Sequence, residues 1–556
     1  MLKRIGKALA LLAAATLALS VYNGISFQKR INSRPLPSEY KKGAFHLHSL
    51  FSDGSGSIEE ITRAARAQKL DFVILTDHGR PNLKSAAATC WSHDTLLIGA
   101  SEFSLHAGHL AAAGFRLPGY VFPPEAQEAI DEVNRDHGVS FISHPLDRRI
   151  PWTDWQARGF TGIEILSLYQ LAKKKLLYAA TLFPLQYLLH PDYALTALIS
   201  YPKKELAIWD HYNRDGKYFG IYALDAHAKL ETGKVSYLRF PSYAATFRIL
   251  TVYVRVEREL EQDAQSSATT VIAALRRGDF FSVIESLAAA NGFECHYLEA
   301  GGERVEMGGD AAAAGGTLVL KLPFQFSTDI LVRKDGEPYR TFKGNSRPEL
   351  AVPIREPGVY RCEVSLHSGR FSGLPWILAN PIFVARAAKA PVKTTVKPRA
   401  FLNKTTPYFQ VEKNARSRGE VSTPAAADGL PLTRFAFTLR PEPVAIDFWT
   451  ALARRENLDL SGYRGFVIEA KGSRAMRFWL QFRTWAHGGE SAFQHSFRVG
   501  EDWQRTFIPF DRFQRLYGVS SPPTLDRVNA FFILIDNGNS FSGATGELWL
   551  RPIGLY

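Results

Sequence analysis

The first half of the chain alternates short apolar runs with amphipathic stretches. DFVILTDHG (71–79), LLIGASEFS (96–104), GHLAAAGF (108–115), VSFISHP (139–145) and FGIYALDAH (219–227) hold too few polar residues for half-exposed strands and predict buried ones. Between them, SIEEITRAARAQKL (57–70) and PPEAQEAIDEVNRDHG (123–138) repeat apolar residues at three- and four-residue spacing. Ser57 and Glu60 add a capping-box pair, so both stretches predict helices. Strand–helix alternation predicts a parallel sheet whose strands end at one mouth. TTVIAALRRGDFFSVIES (269–286) adds a last helix and strand.

The pattern then changes. GTLVLKLPF, TDILVRKDGEPYRTF, ELAVPIREPGVYRCEVSL and NPIFV are short strands divided by Asp-Gly and Pro-Gly turns. They predict a small immunoglobulin-like β-sandwich over 291–386, without clustered acids or histidines and therefore a scaffold. ARAAKAPVKTTVKPRAF lacks apolar periodicity and predicts a linker, 387–405. From 406 to 556, FAFTLR, YRGFVIEAKG, MRFWLQFRT, VNAFFILID and GELWLRPIGLY alternate aromatic and polar positions and predict a second all-β domain.

Two apolar segments stand outside this scheme. Lys3, Arg4 and Lys7 precede ALALLAAATLALSV (8–21), so residues 1–22 read as an export signal or an uncleaved membrane anchor. Either places the bulk of the chain outside the cytoplasm, in a bacterial periplasm or anchored to the inner membrane facing it. A second segment, 171–202, is broken by Pro184 and by His190-Pro191-Asp192. It predicts a helical insertion that caps the first domain and roofs a pocket, with docking on a membrane face as the other reading.

The chain has 556 residues, 46% hydrophobic and 22% charged, which fits several globular domains. A net charge of +13 favours anionic partners, but no basic run interleaved with aromatics marks a specific nucleic-acid module. With three cysteines and no CxxC, a thiolate zinc site is not expected. Cys295 and Cys362 lie in one β-rich segment and can pair in an oxidising compartment, which leaves Cys90 over.

Eleven of the 15 histidines precede residue 228, many at strand ends. FHLHSLFSDGSGS (45–57) puts His46 and His48 two residues apart, where a pleated strand aims both the same way, and follows them with Asp53 on a Gly-rich turn. One such pair is weak evidence of a metal site. Five strands ending in His, Asp or Glu are strong evidence, because distant residues then converge in one pocket. A nitrogen and oxygen ligand set suits zinc, manganese or iron in a multinuclear hydrolytic centre.

HLHSLFSDG, TDH, SEFS…GH, SHP and LDAH resemble, in order and spacing, the successive motifs of the PHP (polymerase and histidinol phosphatase) superfamily of metal-dependent hydrolases. The resemblance covers about residues 43–285. It implies a distorted (β/α)7 barrel over 40–288, followed here by the two all-β sandwich domains, with two or three divalent metal ions (Zn, Mn or Fe). By position it implies that His46, His48 and Asp225 hold a first metal and that Glu102 bridges to a second completed by His109 and His144. Asp53, His78 and His227 would hold a third, and Asp77 would orient a ligand. Glu102, Asp225 and His227 would form the catalytic core. GHLAAAGF, GIEILS and GLPWILANPIFV are similar to exported carbaryl-hydrolase-type metallohydrolases. One departure is Leu224, where relatives usually have a Gly-Ser before the aspartate; it is expected to narrow the pocket or to alter a contact there, which bears on substrate class more than on metal binding. The C-terminal strands resemble galactose-binding-like jelly rolls.

The expected activity is hydrolysis of a phosphoester on a small-molecule or glycan-linked anionic substrate, with Arg148 and Arg149 clamping the anion. Hydrolysis of a carboxyl ester, amide or carbamate at the same centre is the alternative. A second is an envelope carbohydrate-binding protein built on a PHP scaffold. His106 is a substitute for His109, and Glu164 is expected to face the pocket. Trp479, Trp485 and Trp503 are either core residues or platforms for a carbohydrate ligand.

Overall fold

The computed structural model describes residues 2–556 except 33, 176, 179–180, 232–235, 324–326, 387–397, 403–407, 415, 427–428, 430, 441–447, 487–488 and 519–521. Most of the expected linker, 387–405, therefore lies outside the described residues. The chain divides into two compact units, Met1–Leu117 with Ala126–Ala388, and Pro118–Glu125 with Lys389–Tyr556.

The first unit is mixed α/β. It begins with α1 (Leu2–Ile25), β1 (Tyr40–Leu47), α2 (Ile58–Ala67), β2 (Phe72–Leu75), β3 (Thr95–Leu105), β4 (Gly108–Ala113), α3 (Ala126–Arg135), β5 (Val139–Ile142) and β6 (Gly162–Ser167). Then come α4 (Leu168–Lys174), α5 (Leu182–Leu189), α6 (Pro191–Thr196), α7 (Lys203–Tyr212), β7 (Phe219–Ala223), β8 (Leu250–Arg255), α8 (Ala264–Arg277) and β9 (Phe280–Ile284). The sheet order is β9-β8-β1-β2-β3-β4-β5-β6-β7. The main chain just after β7 bonds back to β1: Leu224 N–H donates to Phe45 O at 3.0 Å, and His48 N–H to Ala226 O at 3.0 Å.

The pairing is parallel at β1–β2, β2–β3, β5–β6 and β6–β7, and antiparallel at β3–β4, β4–β5, β1–β8 and β8–β9. Strand–helix alternation predicts a parallel sheet, and four of these pairings depart from it. Only His106 and Ala107 separate β3 from β4, and a parallel crossover needs a dozen residues or more. The capping box of α2 is formed: Glu60 N–H donates to Ser57 Oγ at 3.2 Å and Ser57 N–H to Glu60 Oε2 at 2.9 Å. Phe45, Ile74, Ile98, Phe141, Ile221, Val252 and Leu275 build the core between sheet and helices.

β9 also pairs with a tenth strand, β10 (Ile377–Ala379), so the sheet runs on into strands Gly358–Leu366 and Ile382–Val384. Asn380 ties this extension down, accepting from Gly220 N at 2.8 Å and donating to Phe280 O at 3.0 Å. A separate four-stranded sheet holds Glu294–Leu298, Arg304–Glu306, Thr317–Lys321 and Glu349–Pro353. Cys90, Cys295 and Cys362 are free thiols.

Within the insertion, His190 caps α6, whose first residue is Pro191; that proline separates α6 from α5. Gln186 of α5 donates to the Ser20 hydroxyl of α1. Among the described residues, no helix is long and apolar enough to cross a membrane.

The second unit is all-β. In its six-stranded sheet, Gln410–Lys413 is followed by β11 (Trp449–Leu458), then β15 (Val528–Asp536), β12 (Met476–Ala486), β13 (Gly489–Val499) and β14 (Gln514–Tyr517). A seven-stranded sheet completes the unit. Phe435, Phe466, Phe478, Leu480, Phe531, Ile533 and Leu548 form its core.

Candidate metal centre

The histidines and acids singled out in the sequence meet at one end of the first unit's sheet. β1, β2, β5 and β7 deliver His48, His78, His144, Asp225 and His227 just past their C-terminal ends. β4 runs the other way, so its N-terminal end reaches the same edge with His109. The His46–His48 pair does not arise from a regular pleat. The β1–β2 register slips between Phe45 and Leu47, and His46 takes a positive φ of 70°. A bulge re-aims the ring there. His144 and Asp225 also lie at positive φ, 30° and 51°. Non-glycine residues held in that region cost energy that the surrounding fold must offset, and they collect at functional sites.

Glu102 is the centre of the cluster and is fully buried. Its Oε1 lies 3.3 Å from His46 Nε2, 3.3 Å from His109 Nδ1 and 3.2 Å from His144 Nε2. Its Oε2 lies 3.0 Å from His78 Nδ1 and 3.5 Å from His48 Nε2. Neither oxygen has a hydrogen-bond partner of good geometry. Asp225 Oδ1 stands 3.6 Å from His46 Nε2, 3.4 Å from His48 Nε2 and 3.6 Å from His227 Nδ1. Asp53, on the exposed side, faces His227 Nε2 at 3.3 Å, His48 Nδ1 at 3.5 Å and His78 Nε2 at 3.7 Å. Three sets offer ligand atoms within 4.8 Å of one another: His48, Asp53, His78 and His227; His46, His48 and Glu102; and His78, Glu102 and His109. A buried carboxylate without hydrogen bonds, ringed by five imidazole nitrogens, fits a divalent-cation site.

The electrostatics express the same crowding. Burial disfavours the charged form of every group, and the partners oppose it. Glu102 and Asp225 are held well below the usual carboxylate range despite burial, chiefly by His46. Burial lowers His144, but Glu102 raises it further, to about 9. His46 is also pushed up, by Glu164, Glu102 and Asp225 against burial. His48 is lowered to about 4 by burial and by the neighbouring His227.

A supporting layer surrounds these groups. Glu164 of β6 faces His46 Nδ1 at 2.5 Å and accepts His144 N–H at 2.8 Å. Asp77 accepts from Ser49 N, Ser49 Oγ and Ser52 Oγ and fixes the turn after β1, and the Ser52 hydroxyl in turn lies 3.5 Å from His48 Nδ1. Gln170 Nε2 donates to Asp225 Oδ2 at 3.3 Å, and the Tyr169 ring lies 4.9 Å from that of His227. Tyr243 OH donates to His48 O at 2.7 Å. The sequence reading passed over Gln170, Tyr169 and Tyr243. The first two follow β6 directly, and that position was their one readable signal.

His109 faces Glu102, whereas its substitute His106 is exposed. Beside the centre lies a cavity of about 790 Å³, lined in part by His144, Glu164, Gln170, Leu171, Leu198 and Arg148. Arg148 is at its exposed rim; Arg149 is exposed, outside the lining, and gives its N–H to Asp147. Leu224 is buried and does not line it, so it does not narrow this space.

In the second unit, a cleft of about 470 Å³ lies on the six-stranded sheet, with Trp449, Trp479, Gln481, Gln494, Tyr517, Phe532 and Asp536 on its walls. Trp479 is 4% exposed and donates to Asp536 at 2.9 Å; Trp485, 56% exposed, and Trp503, 38% exposed, are not part of the cleft.

No protein-family model matches the chain, and no curated protein matches it. Among solved structures, it is similar to a two-domain protein containing a predicted PHP-like metal-dependent phosphoesterase from Bacteroides vulgatus ATCC 8482. That likeness covers 64% of this chain and 98% of the other, at 14% identity and a TM-score of 0.31. A family 11 carbohydrate-binding module from Clostridium thermocellum, in complex with a β-1,3-1,4-mixed-linked tetrasaccharide, is similar over 28% of this chain and 93% of its own, at 13% identity and a TM-score of 0.23. A family 30 module of a Clostridium thermocellum cellulosomal cellulase covers 27% and 90%, at 16% identity and a TM-score of 0.21.

Proposed function

We propose that the chain is an exported, metal-dependent phosphoesterase with a PHP-type distorted barrel over 40–288. The carrying observation is Glu102: fully buried, without hydrogen bonds, and within 3.5 Å of His46, His48, His78, His109 and His144. In this reading His46, His48, Asp53, His78, Glu102, His109, His144, Asp225 and His227 hold two or three divalent ions. Such ions supply Lewis acidity and stabilise the negative charge that develops in the transition state.

The chain's own residues do the positioning. Glu164 holds His46 by Nδ1 and so turns Nε2 toward Glu102 and Asp225. Gln170 fixes Asp225 from the outside. Arg148, Lys203 and Lys204, exposed at the rim of the adjoining cavity, attract an anionic substrate. One feature favours a carboxyl-ester substrate instead: Ile165, Leu166, Leu171 and Leu198 make much of the cavity wall apolar.

Residues 291–386 serve as an immunoglobulin-like scaffold, and 406–556 as a galactose-binding-like domain that takes a carbohydrate in the cleft beside Trp449 and Tyr517. Metal analysis coupled to a panel of phosphoester and carboxyl-ester substrates tests the reading. Two or three metal equivalents with phosphoester turnover are expected. Turnover of carboxyl esters alone would move the assignment to the second reading, and a metal-free, inactive protein would end both.

A further inference from the structure

The cavity beside the candidate centre is far larger than a phosphoryl group needs. At about 790 Å³ it falls in the range of pockets that enclose a whole drug-sized ligand. His144 and Glu164 belong both to its wall and to the cluster around Glu102. From that polar end the wall runs to Ile165, Leu166, Leu171 and Leu198, all buried side chains. The last two bracket the helical insertion, and Lys175 between them is spent on closing it: its Nζ donates to Ala197 O at 2.9 Å and Ile199 O at 3.3 Å. Arg148, Lys203 and Lys204 remain as exposed cations on the rim. Asp147, which also lines the space, is occupied by the N–H groups of Arg149 and Ile150.

Resting on the phosphoesterase reading, we infer that the substrate is an amphiphilic phosphoester, with its anionic head at the metal cluster and an apolar chain in this cavity. Ser167, Gln170, Ser200 and Tyr201 add hydrogen-bonding groups to the lining, and Glu205 adds an acid beside the cations, but the Ile165, Leu166, Leu171 and Leu198 side chains form an apolar surface that a sugar phosphate or nucleotide alone would leave uncovered. A pocket for a neutral apolar ester would not need cations at its mouth. An anionic head on a hydrocarbon chain satisfies both features at once. The specificity-determining residues are then Leu171, Leu198 and Ser200, all in the lining.

Binding of alkylphosphonates to the metal-loaded, full-length protein tests this without turnover, because their C–P bond is not hydrolysed. The Kd should fall roughly threefold for each methylene added from methyl- to hexylphosphonate, measured by calorimetry below the micelle concentration. Leu198→Trp should flatten that dependence. Ser200→Trp, at an exposed lining position that tolerates change, repeats the test if the first variant folds poorly. In parallel, kcat/KM for 4-nitrophenyl alkyl phosphates should rise with chain length. Equal affinity for methyl- and hexylphosphonate, with the methyl diester still hydrolysed, would overturn the amphiphile and leave the phosphoesterase reading standing. No binding and no hydrolysis across both series would overturn the two together.

Discussion

Glu164 Oε1 stands 2.5 Å from His46 Nδ1, and both side chains are fully buried. The carboxylate fixes the ring's orientation and makes Nε2 the nitrogen that looks inward. Its other oxygen takes the N–H of His144, so one residue positions two candidate ligands. Glu164→Gln keeps the shape and loses the charge. Metal affinity, measured by chelator competition, should drop by about 10- to 100-fold while the fold is retained. Wild-type affinity in the variant would remove Glu164 from the positioning role.

The cleft of the second unit makes a separate prediction. Trp449 and Tyr517 present rings on its walls beside Gln481 and Gln494, whereas Trp503 lies elsewhere. If the cleft takes a carbohydrate as proposed, affinity electrophoresis in a panel of soluble polysaccharides should show, with at least one of them, retardation that Trp449→Ala or Tyr517→Ala weakens tenfold or more and Trp503→Ala does not. Equal retardation in all three variants would place any glycan contact outside the cleft.

His495 of β13 gives a pH prediction away from the metal cluster. Burial, reinforced by Arg477 and Arg512, lowers it to about 4. The unfolded chain takes up this proton near pH 6.5, and the folded chain does not until about pH 4. Stability is therefore fully present above pH 6.5 and is lost as pH falls through that window, by about 3 kcal/mol. Urea unfolding followed by tryptophan fluorescence at pH 7 and 4.5 should show the loss. His495→Gln should reduce it; an unchanged slope would assign the loss to other groups.

What could be read from the sequence follows the locality of each signal. The strand-ending residues His78, His144, Asp225 and His227 were legible because a buried apolar run followed by a polar group marks a strand end within nine residues; Glu102, read the same way, lies inside β3, which runs on to Leu105. The bulge at His46 was not, because it depends on how β1 pairs with β2. The antiparallel β3–β4 turn was readable in principle, from a connection of two residues. Glu164 was assigned to the pocket without its partners, since His46 lies 118 residues away. The join of β9 to β10 links residues near 281 with residues near 379, and no local pattern encodes such a pairing.

In the proposed reading Glu102 would be a ligand common to more than one cation. The most direct measurement is metal stoichiometry of purified Glu102→Gln beside wild type, by elemental analysis, with circular dichroism as the check on folding. Glutamine fits the same buried space, but it lacks the charge that offsets repulsion between two cations, and its amide nitrogen offers no lone pair. Loss of at least one metal equivalent and a hydrolytic rate lowered by about 10²-fold or more, in a folded protein, are the expected result. Full metal content and full activity in Glu102→Gln would contradict it.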